Sequence, residues 1–180
     1  SMMFQTTGDK RILERVNYIV DELKKLQYAD GNGYIGAFPN GNKILENEVA
    51  KGDIRSKGFD LNGIWVPFYP QHKMMAGLRD AYRLCGNTVA LEVEKRFADW
   101  LDGIVTPLSD EKVQNMLRCE HGGISETLAD LYADTKDEKY LRISKIFYQK
   151  AFLDPLKEGR DILPGKHCNT NIPKLIDLSR

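Results

Sequence analysis

Along most of this chain, apolar residues recur at the 3.6-residue spacing of a helix buried on one face. Ile12, Val16, Ile19, Val20, Leu23 and Leu26 form one stripe; Met74, Met75, Leu78, Ala81 and Tyr82 form another. Val89, Val93, Phe97, Trp100, Leu101 and Ile104 make a third. Shorter stripes run through Val113, Met116 and Leu117, then Ile124, Leu128, Leu131 and Tyr132, then Tyr140, Ile143, Phe147 and Ala151. The pattern predicts an all-α fold. Asn87, Ser109 and Asp137 stand where N-caps belong, and Asp110 and Glu111 place negative charge in a first turn, where the helix dipole favours it.

The stripes also repeat. LRDAYRLCGNTVALEVEKRF (78–97) aligns with LADLYADTKDEKYLRISKIF (128–147), matching Leu78 to Leu128, Tyr82 to Tyr132, Leu91 to Leu141 and Phe97 to Phe147. Each copy reads as a helix, a short polar turn and a second helix. Such α/α hairpins bury their faces against neighbours. Leu178 falls in phase with Leu128, so the last dozen residues read as the start of a third copy. Between the first two helices, residues 28–70 are rich in Gly and aromatics. They predict a long ordered loop, with one short helix near Ile44–Ala50, because so many Tyr, Phe and Trp argue against disorder.

Composition narrows the function. At 180 residues the chain reads as one domain, 1–180. Lys plus Arg balance Asp plus Glu at 26 each, so nothing points to nucleic acid or an anionic membrane as partner. No signal-peptide pattern opens the chain, and Ser1 before Met2 and Met3 reads as a cloning scar. Cys85, Cys119 and Cys168 are too widely spaced for a disulfide framework or a zinc motif. They read as reduced thiols, mostly buried.

Polar clusters recur at helix entrances: YPQHK (69–73), CEHGGISE (119–126) and GKHCNTN (165–171). They carry His72, then His121 and Glu126, then His167, Asn169 and Asn171, with Trp65, Phe68 and Tyr69 nearby in sequence. A single His at such a place is more often structural than functional. As a phase-matched set, however, these residues would ring one cavity if the hairpins stack about an axis, and a concave site of aromatic and hydrogen-bonding groups suits a small polar ligand. Cys168 beside His167 is not expected to act as a nucleophile with its base, because neighbours i and i+1 on a helix do not face each other. The expectation is that Cys168 turns into the packing, that Thr170 or Asn171 caps a helix starting near Pro173, and that His167 and Asn169 face the ligand.

In combination, GYIGAFP, FDLNGIWVPFYPQHKMMAGLRDAY, RCEHGGISETLADLYADTKDEKYL and HCNTNIPK resemble the glycoside hydrolases of the β-L-arabinofuranosidase type, families 127 and 146. The resemblance runs from about Ile12 to Lys174. The family's usual wording near the end is His-Ala-Asn-Thr-Gln-Ile-Pro; here Cys168 replaces the Ala and Asn171 the Gln. The fold implied is an (α/α)6 barrel, of which about three hairpins are present, so the chain reads as a partial barrel. The chemistry implied is retaining hydrolysis by a cysteine thiolate activated by zinc, with a glutamate as acid/base.

None of the three cysteines here matches the family's catalytic or zinc-binding motifs, so no catalytic residue, metal ligand or cofactor is assigned to this chain, and zinc belongs to the full-length parent. The implied partners are a carbohydrate substrate and the remaining barrel helices, with self-association through exposed apolar flanks. His72, Glu126, His167, Asn169 and Trp65 are the expected sugar-binding residues. The chain alone is expected to be inactive. The rival reading is a non-enzymatic helical-repeat module that binds a glycan or a protein. A bare helical scaffold predicts that His72, Glu126 and His167 do not converge.

Overall fold

The computed structural model describes residues 1–177. Among them are ten α-helices and three two-residue strands, an all-α fold. The expected third repeat copy at Leu178 lies outside the described residues. No described helix is long and apolar enough to cross a membrane. The chain divides into two compact units, Ser1–Ile35 with Lys73–Leu101, and Gly36–His72 with Asp102–Arg180.

The first unit contains α1 (Met2–Thr7), α2 (Lys10–Asp30), most of α4 (Phe68–Cys85) and most of α5 (Thr88–Val105). Asp9 caps α2 by accepting from the Arg11 amide at 2.9 Å. Gln27, fully buried, ties the end of α2 down by donating to the carbonyls of Gly33 at 2.7 Å and Val93 at 3.0 Å. Gly33 is required here: its φ is +101°, and a Cβ would sit 2.5 Å from the Arg96 carbonyl oxygen. The α2 stripe is only partly covered. Val20 is buried, whereas Ile19 is 50% and Leu26 62% exposed.

In the second unit the stretch between α2 and α4 is more regular than its sequence suggested. Helix α3 (Gly41–Asn47) and a 3-10 turn at Val49–Lys51 form where a short helix was expected. An unexpected antiparallel meander follows, β1 (Ser56–Lys57), β2 (Asp60–Leu61) and β3 (Ile64–Trp65). Asn62 and Gly63 join β2 to β3 with φ of +52° and +84°, the left-handed pair of a two-residue hairpin turn. Asn62 also pins the stretch, accepting from the Arg55 amide at 2.8 Å and donating to Glu48 at 3.0 Å and the Asp53 carbonyl at 2.9 Å.

The rest of this unit is α6 (Asp110–Met116), α7 (Ile124–Thr135), α8 (Glu138–Ile146), α9 (Lys150–Lys157) and α10 (Cys168–Asp177). Phe68 and Phe147 meet edge to face in its core, 5.5 Å between ring centres. The stripe through Tyr140 was expected to run on to Ala151. Instead α8 ends at Ile146, and Ala151 lies on α9 with an exposed side chain.

The repeat holds within each copy. Residues 81–97 and 131–147 carry the same succession of buried, half-buried and exposed positions, differing only at Asn87 and Asp137. Both first helices end on a left-handed residue, Gly86 at φ +68° and Lys136 at φ +61°. The caps also stand as expected. Asn87 accepts from the Ala90 amide at 3.0 Å, Asp137 from Lys139 at 3.0 Å and Ser109 from Lys112 at 3.4 Å.

Candidate functional site

The entrance to α7 is built from glycine. After α6 the chain turns through Cys119, Glu120 and His121, then reaches Gly122 at φ +61° and Gly123 at φ −102°. Gly123 has no side chain to cap α7. Its own amide instead donates to Nδ1 of His72 on α4, at 3.1 Å. Nδ1 is therefore an acceptor, and the ring proton sits on Nε2.

A Cβ on Gly123 would lie 3.2 Å from His72 Nε2 and 3.4 Å from Glu126 Oε2. The imidazole and the carboxylate thus close on one bare backbone position. A Cβ on Gly122 would lie 2.7 Å from His72 Nδ1 and 3.0 Å from Tyr69 Cδ2, so this position too must stay bare. Tyr69 packs edge-on to His72, with ring centres 6.0 Å apart. Glu126 sits half-buried in the first turn of α7, where the helix dipole favours its charge.

The other predicted residues each have their own local setting. His121 is 1% exposed and packs against Phe147. Its Nδ1 is 3.1 Å from the Cys119 carbonyl, to which it donates. Burial, then the Lys174 charge, push its pKa down to about 3. It is a neutral structural residue of the turn.

His167 and Asn169 are exposed at the start of α10. The His167 ring contacts Thr170, Nδ1 to Oγ1 at 3.3 Å. Three expectations fail here. Helix α10 starts at Cys168, not near Pro173; Cys168 is exposed, not packed; and Asn171 lies inside the helix, donating to the His167 carbonyl at 2.8 Å. Pro173 brings no amide to the first turns, and the Asn171 side chain supplies a donor there. The buried Lys174 joins Asn171 to Gln149, its Nζ 2.7 Å from Gln149 Oε1 and 3.5 Å from Asn171 Oδ1. Trp65 is 63% exposed on β3.

The three thiols are free and differ in exposure. Cys119 is buried, and burial, then the charges of Asp60 and Glu120, push its pKa up to about 12. Cys85 is half-buried, so one of the three thiols is buried rather than most. Among the described residues no group of three or more His, Cys, Asp and Glu could hold a metal ion. The side chains described here therefore do not fit the zinc that the resemblance implies.

A cavity of about 590 Å³ opens elsewhere in the second unit, lined by Val113, Ala129, Leu141, Phe147 and Leu153 among others. None of the predicted site residues lines it, and its mainly apolar wall offers little to a sugar.

The family described as Beta-L-arabinofuranosidase, GH127 catalytic domain, matches residues 1–180. This chain belongs to that family. No curated protein matches it.

Proposed function

We propose that this chain supplies part of the sugar-binding wall of a retaining glycoside hydrolase acting on arabinofuranosides or related plant-type glycans. Its hairpins contribute to an (α/α)6 barrel. The convergence of His72 and Glu126 on the bare backbone of Gly123 supports this reading most strongly. His72 Nε2–H donates to one hydroxyl of the sugar and Glu126 accepts from the next. His167 and Asn169 approach the same ligand from the start of α10, and Trp65 contributes an aromatic face.

Hydrolysis needs more than this wall. Cys119 keeps its proton at neutral pH, and Glu126 is a single carboxylate where displacement and proton transfer call for two groups. The chain alone is therefore inactive, and any zinc is held by other groups of the parent enzyme. The half-bare face of α2, with Ile19 and Leu26, supports self-association in isolation.

The test is a calorimetric titration with methyl β-L-arabinofuranoside, beside a turnover assay on a chromogenic arabinofuranoside. Binding by the chain, its loss in His72→Ala and Glu126→Gln, and no turnover are expected. No binding, or binding indifferent to both substitutions, would sink the sugar-wall reading; saturable turnover would refute inactivity.

A further inference from the structure

The exposed face of the meander carries a second group of side chains whose placement is not explained by packing. The register pairs Lys57 with Asp60, and Asp60 with Trp65. Leu61 and Ile64, the alternate positions, are buried. Strand alternation therefore puts Lys57, Asp60 and Trp65 in one row on the outer face. Phe59 stacks on Trp65 at 5.3 Å and 29° between planes, with Phe59 46% and Trp65 63% exposed.

The platform is held in place. Val66 donates its amide to the Phe59 carbonyl at 2.8 Å while its own φ is +36°, a conformation that a β-branched residue adopts only under constraint. Asp60 Oδ1 accepts from the Gly63 amide at 3.0 Å, which orients the carboxylate.

We propose that Phe59 and Trp65, flanked by Lys57 and Asp60, form a stacking subsite for a second sugar unit of a neutral oligosaccharide. The proposal rests on the sugar-binding reading of His72 and Glu126. Three observations carry it. An aromatic face beside one donor and one acceptor fits the apolar face and hydroxyl rim of a sugar ring, and the two charges cancel, which suits a neutral ligand. Two exposed aromatics are also far too little apolar surface for a stable protein interface, which needs about 1,000 Å².

Finally, a backbone hydrogen bond ties the meander to the turn that carries the nook. The Glu120 amide donates to the Gly58 carbonyl at 2.9 Å, and three residues later the Gly123 amide donates to His72. That separation is at most about 10 Å of extended backbone. A ligand of two or more rings can engage both places.

The chain has two tryptophans, and Trp100 is 7% exposed. Fluorescence quenching by acrylamide therefore reports mainly on Trp65. Arabinotriose and methyl β-L-arabinofuranoside are titrated against the full chain, against Trp65→Ala and Phe59→Ala by calorimetry, and against the unsubstituted chain with quencher. Arabinotriose is expected to shield Trp65 and to bind about tenfold more tightly than the monosaccharide, and both substitutions should remove that advantage. Equal affinities for the two sugars, an unshielded Trp65, or an advantage that survives Trp65→Ala overturns the subsite while leaving the His72 nook standing. If neither sugar binds, the sugar-wall reading and the subsite fail together.

Discussion

Gly122→Ala tests the geometry of the nook directly. Two penalties combine. At φ +61° an alanine pays about 1–2 kcal/mol for left-handed backbone. Its Cβ would also stand 2.7 Å from His72 Nδ1 and 3.0 Å from Tyr69 Cδ2, and His72 is only 6% exposed, so the ring has little room to retreat. Overpacking of this kind costs about 1–3 kcal/mol.

The sum is about 2–4 kcal/mol, allowing for partial relaxation, which lowers the urea midpoint by roughly 1–2 M. Gly103→Ala is the matched control. Gly103 lies exposed in α5 with nothing within 4 Å of its would-be Cβ, so alanine there should stabilise by about 0.5–1 kcal/mol. Urea unfolding followed by far-UV circular dichroism gives both midpoints. If Gly122→Ala unfolds within about 0.3 M of the unsubstituted chain, roughly the scatter of such midpoints, the tight approach of His72 to this backbone is wrong.

Other outcomes follow from the same geometry. Gly123→Ala, at φ −102° and with contacts of 3.2 and 3.4 Å, should cost only about 1 kcal/mol of stability yet abolish sugar binding by filling the space between His72 and Glu126. His121 is neutral when folded, with a pKa of about 3, and takes up a proton below about 6.5 when unfolded. Stability is therefore fully present above pH 6.5 and falls by about 1.4 kcal/mol per pH unit from there towards pH 3, a slope that His121→Phe should flatten in chemical unfolding. In iodoacetamide labelling read by mass spectrometry, Cys168 should react first and Cys119 only after unfolding. Thermal melts should show Lys136→Gly gaining about 0.5 kcal/mol from relief of its φ of +61°, and Gly86→Ala losing about 1 kcal/mol at the equivalent turn.

What the sequence revealed was mostly local. Most helix stripes, the caps at Asn87, Ser109 and Asp137 and the two repeat copies at 78–97 and 128–147 depend on spacing along the chain, and they stand at or near their expected places. The failures occur where a side chain's environment depends on distant partners. Leu26 belongs to a perfect stripe but is 62% exposed, because periodicity marks a face without saying what covers it. Cys168 was expected to turn into the packing, yet as a first-turn residue of α10 it faces water. One miss had a readable signal. Asn62-Gly63 between Leu61 and Ile64 is a strong short-range hairpin signature inside the stretch whose composition predicts a long ordered loop.

The matched burial of the two repeat copies explains why the site is hard to read from the repeat itself. Residues 81–97 and 131–147 share one packing solution, so that portion of each copy is committed to the core. What differs is how the first helix of each copy is entered. Helix α4 opens with Phe68, Tyr69, Pro70, Gln71 and His72; α7 is preceded by His121, Gly122 and Gly123. An aromatic, ring-bearing entrance and a glycine entrance are complementary: the bare backbone of one admits the imidazole of the other to within hydrogen-bond distance. Neither sequence alone implies the pairing. A His72→Asn variant, which can still accept from the Gly123 amide but lacks the ring, separates the two roles. It should keep most of the stability that His72→Ala loses, about 1 kcal/mol for the retained hydrogen bond, while losing sugar affinity as fully as His72→Ala. Equal stability in the two variants would mean that the Gly123 hydrogen bond contributes nothing to holding the entrance together.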